Sequence, residues 1–235
     1  MSRRLVLFDI DGTLLSTGGA DTRVFGGALR EAFGTVGDTL GLEYSGKTDP
    51  QIARELMEEV GFSRDEIEKR RKHALERYQE RLATSLKPAD VLAKPGVTAL
   101  LEALDAEPHV ALGLLTGNLE ANARLKLEPL DANRFFAFGA FGSDHEDRYR
   151  LPAIALERAR ATLGIPFEGP DVVIVGDSVH DVLCGRELGV RAVAVATGKT
   201  SRERLTAAGP DALLSDFSDT RASVAAIVGD GHRPS

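Results

Sequence analysis

The chain has 235 residues, of which 43% are hydrophobic and 28% charged, and its net charge is −7. That length suits one domain or two modest ones, and the apolar share is enough to bury a core, which excludes disorder as the main state. The acidic balance disfavours nucleic-acid binding, which relies on a basic face, and a single cysteine, Cys184, excludes an internal disulfide or a cysteine-rich zinc site.

The first element is the short apolar run Leu5 to Phe8, which stops abruptly at Asp9-Ile10-Asp11-Gly12-Thr13. It is shorter than the core of a signal peptide, about 7–15 residues. No apolar run approaches the ~18 residues that a membrane-spanning helix needs. The sequence therefore predicts a cytoplasmic protein with neither membrane nor nucleic-acid partners.

From residue 16 to residue 90 the pattern is helical throughout. Between Pro50 and Asp90, 18 of 41 residues are charged, so the buried face is narrow. Asp49 followed by Pro50 reads as an N-cap with proline at the first helical position. Ile52, Leu56 and Val60 follow at helical spacing. Ser63 with Glu66 predicts a capping box, and Phe62 with Ile67 a hydrophobic staple. Ala74, Leu75, Tyr78 and Leu82 continue the apolar stripe. Irregular insertions of this length are rare in compact domains, so residues 16–90 are expected to form a separate all-helical subdomain.

The remainder, residues 1–15 and 91–235, alternates strand and helix. Val110–Leu115, Val172–Val175 and Ala192–Ala196 are continuous apolar runs, as in strands buried on both faces of a parallel sheet. Helical patterns lie at Val97–Leu104, Leu119–Leu127, Ala153–Leu163 and Val182–Leu188, with Gly164 and Gly189 as C-terminal caps. The expected fold is α/β, a doubly wound Rossmann-like core with a mostly parallel sheet, carrying the helical insertion. Gly229 to Ser235 is expected to fray.

Ligands of doubly wound sheets sit at the carboxyl ends of the strands. The sequence places Asp9, Asp11, Gly12 and Thr13 after the first run, Thr116-Gly117-Asn118 after the second, and Gly176-Asp177-Ser178 with Asp181 after the third. Convergent carboxylates without a histidine or cysteine cluster favour a hard cation, and a small octahedral site points to Mg²⁺. Thr116, Gly117 and Asn118 suit a phosphate cradle: a hydroxyl, an unshielded N–H and an amide ahead of a helix N-terminus. Arg148 and Arg150 offer positive charge to a phosphoryl group. The five histidines show no ligand spacing.

The segments containing Asp9-Ile-Asp11-Gly12-Thr13, Leu-Leu-Thr116-Gly117-Asn118 and Gly176-Asp177-Ser-Val-His-Asp181 resemble the first, second and fourth motifs of the haloacid dehalogenase-like superfamily. The insertion resembles that superfamily's helical cap, and the nearest subgroup is the phosphoglycolate phosphatase-like and β-phosphoglucomutase-like hydrolases. The resemblance implies Asp9 as nucleophile and Asp11 as general acid and base. It also implies Mg²⁺ held by Asp9, the Asp11 carbonyl and Asp177, with Asp181 orienting metal-bound water. A lysine usually forms the third motif; here the region reads Asp147-Arg148-Tyr149-Arg150-Leu151-Pro152, and an arginine must take its part. Arg148 is favoured over Arg150 because the family lysine precedes its helix by several residues. Lys47, in the loop Ser45 to Pro50, is expected to face substrate. The implied activity is Mg²⁺-dependent hydrolysis of a small phosphorylated metabolite through an aspartyl-phosphate, by a monomer or homodimer. Phosphomutase or phosphonate hydrolase chemistry on the same fold, and a catalytically inactive metabolite-binding protein, are the alternatives.

Overall fold

The computed structural model describes residues 3–37 and 44–229; the expected frayed tail from residue 230 onward lies outside them. Six strands form one parallel sheet: β1 (Arg4–Phe8), β4 (Val110–Thr116), β5 (Gly139–Phe141), β6 (Val172–Gly176), β7 (Arg191–Val195) and β8 (Ala212–Leu214). Their order is β5-β4-β1-β6-β7-β8. The chain leaves central β1 for one side and later returns to the other, so the order reverses at the carboxyl ends of β1, β4 and β6.

Continuous apolar strands follow from burial on both faces. Val6 and Phe8 of β1, with Val173 and Val175 of β6, pack into one cluster. That cluster includes residues of α4 (Val97–Asp105), α5 (Glu120–Leu127) and α9 (Thr220–Val228). Leu5, Leu7, Val172 and Ile174 point the other way, against α6 (Leu151–Leu163). The short α7 (Val179–Leu183) and α8 (Arg202–Ala208) cover β7 on that side.

Between a two-residue pair of antiparallel strands, β2 (Leu15–Ser16) and β3 (Leu92–Ala93), the chain runs through α1 (Ala20–Phe33), α2 (Asp49–Glu59) and α3 (Arg64–Ser85). These helices share their own cluster, in which Phe25, Leu29, Leu56, Met57, Tyr78 and Leu82 are buried. The capping box of Ser63 and Glu66 forms as expected, and Phe62 and Ile67 lie in the same cluster. Among the described residues no helix is long and apolar enough to cross a membrane.

Several boundaries differ from expectation. Thr48, not Asp49, caps α2: its hydroxyl accepts from the Gln51 N–H at 3.2 Å, and Asp49 and Pro50 become the first helical residues. The helix expected at Val182–Leu188 begins earlier, at Val179, because Ser178 and Asp181 form a capping box there. It ends at Leu183 and is followed by a single 3₁₀ turn at Arg186–Leu188. β2, β3, β5 and β8 have two or three residues each, too short to show a period.

Gly96 shows how closely the return from the insertion packs. Its φ is 79°, and a Cβ there would lie 1.9 Å from the Phe217 carbonyl oxygen. Gly96→Ala is expected to destabilise the protein by about 1–3 kcal/mol from backbone strain alone, with the clash adding to it. Urea unfolding measures this, and a variant as stable as its parent would contradict the close approach.

Candidate active site

β1 stops at Phe8, and the Asp9 N–H donates to the Val175 carbonyl of β6 at 2.9 Å, which fixes Asp9 at the strand end. The turn beyond it closes on the Ile10 carbonyl, which accepts from the N–H groups of Thr13, Leu14 and Leu15. Thr13 then donates its hydroxyl to Asp177 Oδ1 at 3.1 Å, joining the ends of β1 and β6. Asp9, Asp177 and Asp181 are all buried, and each offers an oxygen within 4.8 Å of the others.

Such crowding disfavours ionisation. Burial, with Asp181 alongside, pushes Asp9 up to about 7, although Arg148 opposes the shift. Asp177 is driven well above the usual carboxylate range by burial and by Asp9 and Asp181. Arg148 counters this charge. It lies in the 3₁₀ turn Arg148–Arg150 ahead of α6, fully covered. Its Nη2 donates to Asp9 Oδ1 at 3.2 Å, to the Leu115 carbonyl at 3.1 Å, and to Asp181 Oδ1. Arg150, two residues on, is exposed.

Both oxygens of Asp181 are engaged, Oδ1 by Arg148 and Oδ2 by the Ser178 N–H and hydroxyl. Asp181 is therefore held to support the cluster, and oxygens of Asp9 and Asp177 remain to face a cation. An all-oxygen set with surplus negative charge fits a hard divalent cation.

Asp11 points away from this cluster. Its carboxylate accepts from Asn118 Nδ2 at 2.7 Å and from Lys126 Nζ at 2.8 and 3.0 Å. Lys126, in the last turn of α5, also donates to Asn118 Oδ1 and to Asp21 Oδ2 of α1, each at 2.7 Å. One buried ammonium thus ties together the loop after β1, the loop after β4 and the helical insertion. Burial would lower the Lys126 pKa, but Asp11, Tyr78, Asp21 and Asp49 together raise it well above the ordinary value. Burial would likewise raise Asp21, yet the Lys126 charge and hydrogen bond bring it down to about 2. The Thr116 hydroxyl accepts from Asn118 Nδ2 at 2.8 Å.

The loop Lys47–Asp49 lies directly on Gly117. A Cβ at Gly117 would come within 2.1 Å of the Lys47 carbonyl oxygen, and the Asp49 N–H donates to the Gly117 carbonyl at 2.8 Å. Lys47 itself pairs with Glu55 at 2.6 Å. Between insertion and sheet lies a cavity of about 700 Å³ whose wall includes Asp9, Asp177, Arg148, Thr116–Asn118 and Lys47. His180, on α7 beside Asp181, faces the Tyr149 hydroxyl at 3.3 Å and does not line the cavity. Lys126, Asp21 and Asp49 were not singled out from sequence. A lysine three residues after buried Ala123 and beside buried Leu127 is the one signal that could have marked Lys126.

Residues 6–195 match the family model described as haloacid dehalogenase-like hydrolase. The chain is 24% identical over 223 residues to a phosphoglycolate phosphatase of Photorhabdus laumondii, covering 94% of this chain and 92% of that protein. It is 30% identical to the N-acetylmuramic acid 6-phosphate phosphatase of Pseudomonas aeruginosa, covering 84% of each. The crystal structure of a predicted phosphatase from Clostridium acetobutylicum superposes with a TM-score of 0.72 at 19% identity, covering 95% of this chain and 99% of that one. The chain belongs to the haloacid dehalogenase-like hydrolases; it is an enzyme of that family, similar along most of its length to curated phosphatases.

Proposed function

We propose that the protein is a Mg²⁺-dependent phosphatase that hydrolyses a small phosphorylated metabolite through a phosphorylated Asp9. The observation that carries this reading is the meeting of Asp9, Asp177 and Arg148 at the strand ends, beside Thr116, Gly117 and Asn118. In this reading the helices between β2 and β3, residues 16–90, form a cap over the site.

Asp9 attacks phosphorus with one carboxylate oxygen, and the ester oxygen leaves with a proton from Asp11, whose carboxyl must first turn from Lys126 and Asn118 toward the substrate. Water then attacks the phosphorylated carboxylate, giving its proton to Asp11 and releasing inorganic phosphate. Arg148 holds Asp9 in place and meets the charge of the transferring group, with a guanidinium fork suited to both. The Thr116 hydroxyl and the Gly117 N–H orient the phosphoryl oxygens, and the Asn118 amide would join them on turning from Asp11. Asp9, Asp177 and the Asp11 carbonyl would hold Mg²⁺, with Asp181 behind them. When bound, the cation supplies positive charge that relieves repulsion between carboxylate and phosphate. Lys47, in the loop over Gly117, borders the same cavity with its ammonium paired to Glu55.

Asp9→Asn is expected to remove essentially all Mg²⁺-dependent hydrolysis of p-nitrophenyl phosphate. Arg148→Ala should lower kcat/KM by about 10²–10³, the scale of one lost charge-stabilising donor, while Arg150→Ala changes it little. Equal effects of the two arginine variants would contradict the role given to Arg148.

The raised carboxyls make a second prediction. A carboxyl whose pKa is higher folded than unfolded binds more protons when folded, so stability falls as pH rises from about 4 to about 7. Mg²⁺ should offset that loss, so its stabilising effect should grow between about pH 5 and about pH 8. For a chain of this size each kcal/mol moves the melting temperature by about 2–4 °C. Thermal melts with EDTA or with Mg²⁺ measure this, and a Mg²⁺ effect independent of pH would contradict the cluster as the cation site.

A further inference from the structure

The cap-side wall of the cavity says what kind of leaving group it accepts. Asp49 is the first residue of α2, and its backbone N–H is fixed to Gly117. One side-chain oxygen, Oδ2, accepts from the Leu119 N–H at 3.0 Å. The other accepts no hydrogen bond among the described residues, and Asp49 lines the cavity directly over the phosphate loop. That leaves one carboxylate oxygen without a protein donor in a residue that lines the cavity beside Thr116, Gly117 and Asn118.

Two of the cations that border the cavity, Lys126 of α5 and Lys47 of the insertion, are already matched by carboxylates. Lys126 is enclosed by Asp11, Asp21 and the Asn118 carbonyl, and Lys47 is paired with Glu55. Lys94 and Lys199 also line the cavity, but from the core side. Lys94 Nζ donates to the Thr197 carbonyl, and the Thr197 hydroxyl is bound to the Gly12 carbonyl next to the catalytic loop. The remaining cap lining mixes apolar side chains, Phe25, Leu29, Ile52 and Leu56, with the hydroxyl residues Thr17, Thr22, Ser45 and Tyr78. Apolar surface and neutral hydroxyls around a carboxylate acceptor suit carbons bearing hydroxyls, and a cavity of about 700 Å³ has room for several of them.

Resting on the phosphatase reading above, we infer that the enzyme selects phosphomonoesters whose leaving group is an uncharged, hydroxyl-bearing carbon skeleton, and that Asp49 determines this by accepting a substrate hydroxyl and repelling a second anionic group. Discrimination of this kind comes as much from the unmatched charge met by the wrong substrate as from contacts to the right one.

The test compares kcat/KM at about pH 8, above the value near 7 to which burial pushes Asp49, with Mg²⁺ present. The probes are p-nitrophenyl phosphate, glycerol 3-phosphate, a hexose 6-phosphate and 2-phosphoglycolate. The better hydroxylated ester should exceed 2-phosphoglycolate by about tenfold or more, which is 1.4 kcal/mol or more. Asp49→Asn, which keeps an acceptor for the Leu119 N–H, should shrink that ratio several-fold, chiefly by lowering KM for 2-phosphoglycolate. A wild-type preference for 2-phosphoglycolate, or a ratio unmoved in folded Asp49→Asn, overturns the inference while leaving the phosphatase reading standing. No Mg²⁺-dependent hydrolysis of p-nitrophenyl phosphate overturns the phosphatase reading itself, and the inference with it.

Discussion

Three carboxylates held within 4.8 Å of one another, away from water, are the constraint on which the rest of this site depends. Left alone, Asp9, Asp177 and Asp181 would repel one another and take up protons. Arg148 limits that cost by bonding to Asp9 and Asp181 from one guanidinium nitrogen. Because the guanidinium is itself buried, each side of the arrangement is stable only with the other in place. The sheet makes this possible: Asp9 and Asp177 extend from neighbouring strands at the point where the strand order reverses, and the 3₁₀ turn ahead of α6 delivers Arg148 from the side.

A second buried charge, Lys126, does for the outer half of the site what Arg148 does for the inner half. It binds Asp11 from the loop after β1, Asn118 from the loop after β4 and Asp21 from α1. Any movement of the helical insertion away from the sheet would strip Asp21 from this ammonium and the Lys47–Asp49 loop from Gly117. The position of the insertion and the setting of Asp11 are therefore linked through one ammonium.

Much of this organisation is legible in the sequence. The continuous apolar runs give strands buried on both faces, and the residues after Phe8, Leu115 and Val175 are those that meet at the strand ends. What escapes is of two kinds. β5 and β8 have three residues each, and β2 and β3 two, so none carries a periodicity to read. Asp21 and Lys126 look like ordinary solvated helix residues in one dimension, and Asp49 like an N-cap. Only the folding of the insertion back onto α5 and the loop after β4 turns them into a buried set. The N-cap of α2 was misplaced by one residue because Thr48 and Asp49 can both cap. The tertiary contact decides between them: the Thr48 hydroxyl also donates to the Glu146 carbonyl at 2.6 Å, and Asp49 is drawn to Leu119.

The covalent role proposed for Asp9 is open to direct observation. Asp11→Asn, lacking the base that would activate water, should allow the phosphorylated carboxylate to accumulate. The variant would be mixed with p-nitrophenyl phosphate and Mg²⁺, quenched in acid, digested and examined by mass spectrometry. The account predicts one phosphoryl group on the peptide containing Asp9, absent when Asp9 is also changed to Asn. A phosphoryl group on another residue, or none while the variant releases stoichiometric p-nitrophenol, would contradict nucleophilic attack by Asp9.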